Sequence, residues 1–156
     1  MRYYLIRHAQ TDATRLTRAA YGKQGAPINT SGREQAQAMR KKLIELGIDI
    51  EDEPAAVSAL IRTQQTAQVA GFKKLAVYNI LNEVKTDDPH KTQALIKSSK
   101  LPPEAGVAAK KILNQPPEEK IWVTHGQVIA ALLQELNLTD PAKFMPDFCE
   151  VRIIEF

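Results

Sequence analysis

The chain has 156 residues, a length that fits one domain, and its 44% apolar and 25% charged composition is that of a globular protein rather than a disordered or low-complexity one. Its net charge of +3 is mild, and with only 6% aromatic residues it lacks the Lys/Arg stripe with stacking platforms that marks nucleic-acid binders. No apolar run approaches the roughly 20 residues that cross a bilayer, and Arg7 and His8 interrupt the N-terminal apolar stretch too early for a secretory signal. The single cysteine, Cys149, cannot form an internal disulfide, so a reducing, cytoplasmic setting is expected, with no nucleic-acid and no membrane partner. A small anionic ligand held by a few cations fits this balance better. The oligomeric state is left open.

Tyr3-Tyr4-Leu5-Ile6 is a continuous apolar run of strand formers and predicts a strand buried on both faces. Residues 9–29 lose all periodicity and predict a long loop whose cations are Arg15, Arg18 and Lys23. Ser31 and Glu34 match a capping box, and Ala36, Met39, Leu43 and Leu46 predict a helix that Gly47 stops. A strand at 55–58 precedes a helix at 62–70, and 75–81 reads as a third strand. The polar stretch 84–118, punctuated by five prolines, has room for helices near 90–98 and 104–114. Ile121-Trp122-Val123-Thr124 is a fourth strand, running into His125-Gly126 and a helix whose Val128, Ile129, Leu132, Leu133 and Leu136 form one apolar stripe. The charged strand at 150–156 suits a sheet edge. With no repeat and no linker, residues 1–156 are expected to form a single domain. Alternating strands and helices imply a mostly parallel sheet covered on both faces.

In such sheets ligands bind beyond the carboxyl ends of the strands. His8, Ser58 and His125 each follow a predicted strand end, Arg7 precedes His8, and Arg62 opens the helix after the second strand. Two guanidiniums supply planar, permanently charged forks matched to phosphate oxygens. A neutral imidazole can attack phosphorus and carry the phosphoryl group, and neighbouring arginines keep it neutral by disfavouring the imidazolium. Helix N-termini just beyond Ser58 and His125 add donors for an anion.

Four segments in this order resemble the histidine phosphatase superfamily, also called the phosphoglycerate mutase-like family. Arg7-His8-Ala9-Gln10-Thr11 is similar to its Arg-His-Gly-Glu-Thr/Ser signature, and Ile28 to Ala36 to its Leu-Thr-x-x-Gly-x-x-Gln-Ala segment. Ser58 to Ala67 resembles Ser-x-Leu-x-Arg-x-x-Gln-Thr-Ala, and Thr124-His125-Gly126 its late His-Gly. The resemblance spans nearly the whole chain and implies an α/β fold, a three-layer α/β/α sandwich whose mostly parallel sheet carries an antiparallel edge strand. It implies His8 as the nucleophile, with Arg7, Arg62 and His125 holding the phosphoryl group. Glu83, after the third strand, would be the general acid and would need a raised pKa to hold its proton near neutrality. Thr11, Ser58, Gly126, Gln127 and Arg15 would line the substrate site. Ala9 in place of Gly adds a methyl where the backbone nears the phosphate, Gln10 in place of Glu alters the outer pocket, and Gln127 narrows one side.

Asp87 and Asp88 are rivals for the acid, His90 reads as surface, Cys149 as a packed thiol and Trp122 as core. The three histidines, at 8, 90 and 125, lack zinc-like spacing, so neither a metal nor another cofactor is expected. The segment between Glu83 and His125 holds two short helices and little lid. That openness favours transfer to water over a mutase, which must exclude it. The expected partner is a small phosphorylated metabolite, with a phosphorylated protein side chain (phosphohistidine) as the alternative. A non-catalytic module that binds phosphate or a phosphoprotein is the reading from a different class. Arg15, Arg18, Lys23, Lys85 and Lys91 either favour a further negative group or serve as surface charge.

Overall fold

A computed structural model describes residues 1–156. Strand β1 (Arg2–Arg7) lies between β4 (Ile121–Thr124) and β5 (Val151–Glu155), and the sheet continues from β4 through β2 (Ala55–Val57) to β3 (Leu75–Val77). The four strands from β3 to β1 are parallel, and β5 closes the edge antiparallel to β1. This is the expected α/β architecture with its antiparallel edge strand.

The strand pleat sends successive side chains to opposite faces, and β1 uses both. Ile6 joins one apolar core with Ala36, Met39 and Leu43 of α1 (Thr30–Glu45) and Ala67 and Ala70 of α2 (Ile61–Ala70). Tyr3 and Leu5 join the other, with Trp122, Ala105, Ala109 and Ile112 of α4 (Pro103–Asn114), and Val128, Ile129 and Leu132 of α5 (Gly126–Glu135). Helix α3 (Pro89–Lys97) starts at Asp88, whose side chain caps Lys91 N–H.

Two expectations are corrected. The N-cap of α1 is Asn29, whose Oδ1 accepts from Gly32 N–H at 2.8 Å, while Ser31 sits exposed inside the first turn. The capping box fails because the tight fit of Gly32 against Gln10 sets where the helix begins; a Cβ at Gly32 would strike the Gln10 carbonyl oxygen. The third strand stops at Val77, and Asn79–Leu81 turns as a 3-10 helix that drops Leu81 into the core, where Thr124 Oγ1 donates to its carbonyl at 2.8 Å. The apolar stripe of α5 packs into the second core as expected, Val128, Ile129, Leu132 and Leu133 inside it and Leu136 against it, and burial extends to every residue from Gly126 to Leu133, the helix packing against both α4 and β1.

Removing the true cap should cost about 1 kcal/mol, whereas Ser31 has no capping bond to lose. Urea denaturation should therefore show a clear loss of stability for Asn29→Ala and little for Ser31→Ala.

Candidate active site

The register of the parallel strands builds the site. Arg7 pairs with Thr124, and Val57 with Val123, so β1, β4 and β2 end side by side. The next residue on each strand, His8, His125 and Ser58, is carried to the same edge, and Arg62 follows in the first turn of α2. These elements enclose a cavity of about 190 Å³ lined by four guanidiniums (Arg7, Arg15, Arg18 and Arg62), one carboxylate (Glu83), His8, Thr11, Gly126, Gln127 and Phe148, among others.

His8 is held in one tautomer. Its Nδ1 lies 2.7 Å from the Ala9 carbonyl, which can only accept, so Nδ1 carries the proton. Nε2 then presents its lone pair, to which Arg62 Nε donates at 3.3 Å. Burial, the nearby His125 ring and the Arg62 charge together hold the His8 pKa well below the usual histidine range, so the ring is neutral at pH 7.

Each arginine is clamped in its own way. Arg7 Nη1 donates to the Pro146 carbonyl at 2.7 Å, and its guanidinium lies over the Phe148 ring, 4.2 Å from the centroid. Its Nε, buried without a partner, rests against the first residue of α5, where a Cβ on Gly126 would crowd it at 3.2 Å. Arg62 is buried beneath Gly25, whose positive φ brings the backbone so close that a Cβ would meet Arg62 Nη1 at 2.7 Å.

Glu83 reaches into this set from the segment after Leu81, which is pinned by Ala59 N–H donating to Asn82 Oδ1 at 2.8 Å. Its Oε2 lies 3.1 Å from Arg62 Nη2, 3.3 Å from Arg18 Nη1 and 3.1 Å from His125 Nδ1. The last contact is close but off the hydrogen-bond axis. Gln127 Nε2 donates to the other oxygen at 3.4 Å. Burial works to raise the Glu83 pKa, but His125, Arg18 and Arg62 outweigh it and hold it well below the usual carboxylate range. The raised pKa expected from the sequence is therefore not the state of the free site. Permanent guanidinium charges within contact distance are the reason.

The remaining candidates divide. Thr11, Arg15, Gly126 and Gln127 line the cavity, but Ser58 does not face it. Ser58 is fully buried, its Oγ 3.0 Å from His125 Nε2 and 2.9 Å from Thr63 Oγ1, so it fixes the His125 ring from behind. His125 is likewise fully buried, and it meets the cavity through Glu83. The Ala9 methyl packs in the apolar core rather than toward an anion, and its N–H donates to Thr66 Oγ1 at 2.8 Å. Gln10 bonds Gln35 instead of lining the cavity. Asp87 and His90 are exposed, Asp88 is a helix cap, and the buried Cys149 thiol is pushed up to about 12 by desolvation. Lys23 and Lys91 are exposed, and Lys85 lines a separate groove.

Sequence reasoning missed the Met145–Phe148 loop and Gly25, since apolar or small loop residues carry no chemical signature. It also dismissed a metal on spacing, whereas folding brings donor atoms of His8, Glu83 and His125 within 4.8 Å of one another. Four guanidiniums in the same cavity oppose a cation there and favour an anion.

Residues 3–98 match the family model described as the histidine phosphatase superfamily (branch 1). The chain belongs to this superfamily. The matched residues hold Arg7, His8, Arg62 and Glu83, whereas His125 lies beyond them. No curated protein matches the chain by sequence. Among solved structures it is similar to an alpha-ribazole-5'-P phosphatase candidate from Escherichia coli, at 19% identity and a TM-score of 0.68, covering 99% of this chain and 90% of that one. It is also similar to TTHB049 from Thermus thermophilus, at 20% identity and a TM-score of 0.68 over 100% and 94% of the two chains. The product of open reading frame Rv3214 from Mycobacterium tuberculosis aligns at 22% identity and a TM-score of 0.66 over 99% and 91%. At these identities the likenesses establish the fold, and the family membership supports a phosphatase.

A histidine kept neutral in the fold makes stability depend on pH. Below about pH 6.5 the unfolded chain takes up protons that His8 and His125 resist in the folded state, so stability is full above that pH and falls as the pH drops. Each ring adds a slope of at most about 1.4 kcal/mol per pH unit. Urea denaturation between pH 7 and 5.5 should show this decline, and His8→Gln should flatten it.

Proposed function

We propose that residues 1–156 act as one phosphatase domain that hydrolyses a small phosphomonoester through a phosphohistidine on His8. The observation that carries this reading is the unprotonated Nε2 of His8, held against Arg62 inside a cavity lined by four guanidiniums. A dianionic phosphoryl group is the natural counter-ion of that cavity. It would displace the Glu83 carboxylate from Arg62 and take bonds from Arg62 and from Arg7, whose Nε has no partner.

His8 Nε2 then attacks phosphorus in line with the leaving oxygen. The N–P bond forms as the P–O bond breaks, and the arginines stabilise the charge on the equatorial oxygens. Glu83 is the group that protonates the departing alkoxide. Once the dianion draws Arg62 away from Glu83, one of the charges that depress its pKa is offset, and the dianion's own charge joins burial in raising it, so substrate binding favours the protonated acid. In the second half, Glu83 takes a proton from water, water oxygen attacks the phosphohistidine, and phosphate leaves with His8 restored. His125, anchored by Ser58, holds its Nδ1 toward the same position.

A carboxylate beside the reacting centre supports an oxygen ester over a phosphoramidate, which leaves with little proton assistance. The charge this chemistry needs comes from guanidiniums, so the reaction is proposed to be metal-independent. A lone, buried thiol fits a cytoplasmic setting.

The test is hydrolysis of p-nitrophenyl phosphate in the presence of a chelator. His8→Ala should lower kcat by on the order of 10³-fold or more, and quenched wild-type protein should carry an acid-labile, base-stable phosphoryl group. Turnover unchanged in His8→Ala would overturn the nucleophile. Glu83→Gln should slow alkyl phosphates by about 10²-fold or more while affecting aryl phosphates far less, because a good leaving group needs no acid. Equal slowing of both would remove Glu83 from that role.

A further inference from the structure

Arg15 and Arg18 lie outside every motif that carries the family resemblance, yet both line the cavity. They belong to the long loop after β1, which is not loose. Thr11 bridges to Ile28, Asn29 N–H donates to the Gln10 carbonyl at 3.0 Å, and Ile61 N–H donates to the Gln24 carbonyl at 2.9 Å, stitching the loop to α2. The loop thus holds its two guanidiniums at the rim. Arg15 Nη1 donates to Gln93 Oε1 of α3 at 2.6 Å, while its Nε is buried without a partner. Arg18, with about a third of its side chain exposed (32%), has Nη1 3.3 Å from Glu83 Oε2. Lys23 on the same loop points to solvent, so inward placement is particular to these two arginines.

The charges in the cavity do not balance around a simple monoester. Arginine stays protonated, so the cavity carries four positive charges against one carboxylate, with His8 neutral. In the catalytic step Glu83 must hold a proton, and a phosphomonoester dianion offsets only two of the four. The other two would remain unmatched in a partly buried space, where burial first and then the Arg15 and Arg18 charges already depress Arg7. Arg7 and Arg62 sit beside His8 and take the phosphoryl group, which leaves the rim pair on the leaving-group side with Glu83.

We propose that Arg15 and Arg18 form a second anion subsite, so the preferred substrate is a small phosphomonoester bearing a further anionic group, a carboxylate or a second phosphate, a few bonds from the scissile phosphorus. The inference rests on the phosphatase reading above and adds the substrate class. The cavity's volume of about 190 Å³, below the range of drug-sized ligand sites, suits a compact molecule of this kind.

The experiment compares kcat/KM for ethyl phosphate, 2-phosphoglycolate and ethylene glycol bisphosphate in the wild type, Arg15→Gln, Arg18→Gln and the double variant. The wild type should favour at least one doubly anionic ester over ethyl phosphate by about tenfold or more, mainly through KM. The double substitution should bring that ratio toward one, which a role confined to holding the loop would not do, since loop damage slows all three esters alike. Preference for the carboxylate or for the bisphosphate identifies the second anion. A wild-type ratio near one, or a ratio that survives the double substitution, overturns the subsite. If all three esters are hydrolysed equally and His8→Ala abolishes that turnover, the subsite alone fails. If the wild type hydrolyses none of them, nor p-nitrophenyl phosphate, the phosphatase reading itself fails.

Discussion

At one oxygen of Glu83 the guanidiniums of Arg62 and Arg18 meet the His125 ring, all within 3.3 Å, in a cavity that holds no other carboxylate. That contact keeps an otherwise self-repelling cluster of arginines together. Like charges in a partly buried space repel strongly, and a single internal anion reduces the excess. The free site is therefore stable because one of its own side chains stands where an anionic ligand is expected to go. Burial, the His125 ring and the Arg62 charge leave His8 neutral against the opposing pull of Glu83, while His125, Arg18 and Arg62 keep Glu83 ionised despite its burial.

Much of the surrounding structure serves to hold that arrangement. Gly25 and Gly126 are small because Arg62 and Arg7 lie against them, and the Phe148 ring and Pro146 carbonyl fix Arg7 from the far end of the chain. Ser58 and Thr63 sit behind His125, and Thr124 ties the Leu81 turn that delivers Glu83 to the end of β4. The groups that would touch a ligand are few. Those that fix their directions come from both halves of the chain, so the site depends on the register of the sheet more than on any loop. A rigid set of donors of this kind needs little reorganisation when charge moves during a reaction.

The long loop after β1 adds a second level. Its backbone is stitched to α1 and α2, and its two inward arginines reach the side of the cavity where Glu83 enters. On the proposed reading, the end that would take the phosphoryl group and the end that would take the leaving group are built from different stretches of sequence. The first comes from the end of β1 and the first turn of α2, which the fold fixes. The second comes from the long loop, which supplies Arg15 and Arg18, and from the segment after Leu81, which supplies Glu83.

Periodicity and turn chemistry place strands at 3–6, 55–58, 121–124 and 150–156, which the fold forms as 2–7, 55–57, 121–124 and 151–155, and they place the helices between them, because apolar spacing reports which side chains must leave water. Four motifs placed Arg7, His8, Arg62 and His125 at one sheet edge, because parallel strands end on a common side. The start of α1, the early end of β3 and the full burial of α5 escaped that reading, since each is imposed by a neighbour distant in sequence: Gln10 against Gly32, Thr124 on Leu81, α4 over α5. The same holds for Glu83. Its position along the chain marks it as a carboxyl near a phosphate site, but its ionisation depends on Arg18 and Arg62 lying within about 3 Å, and charge–charge energies are set by distances that only the folded chain fixes.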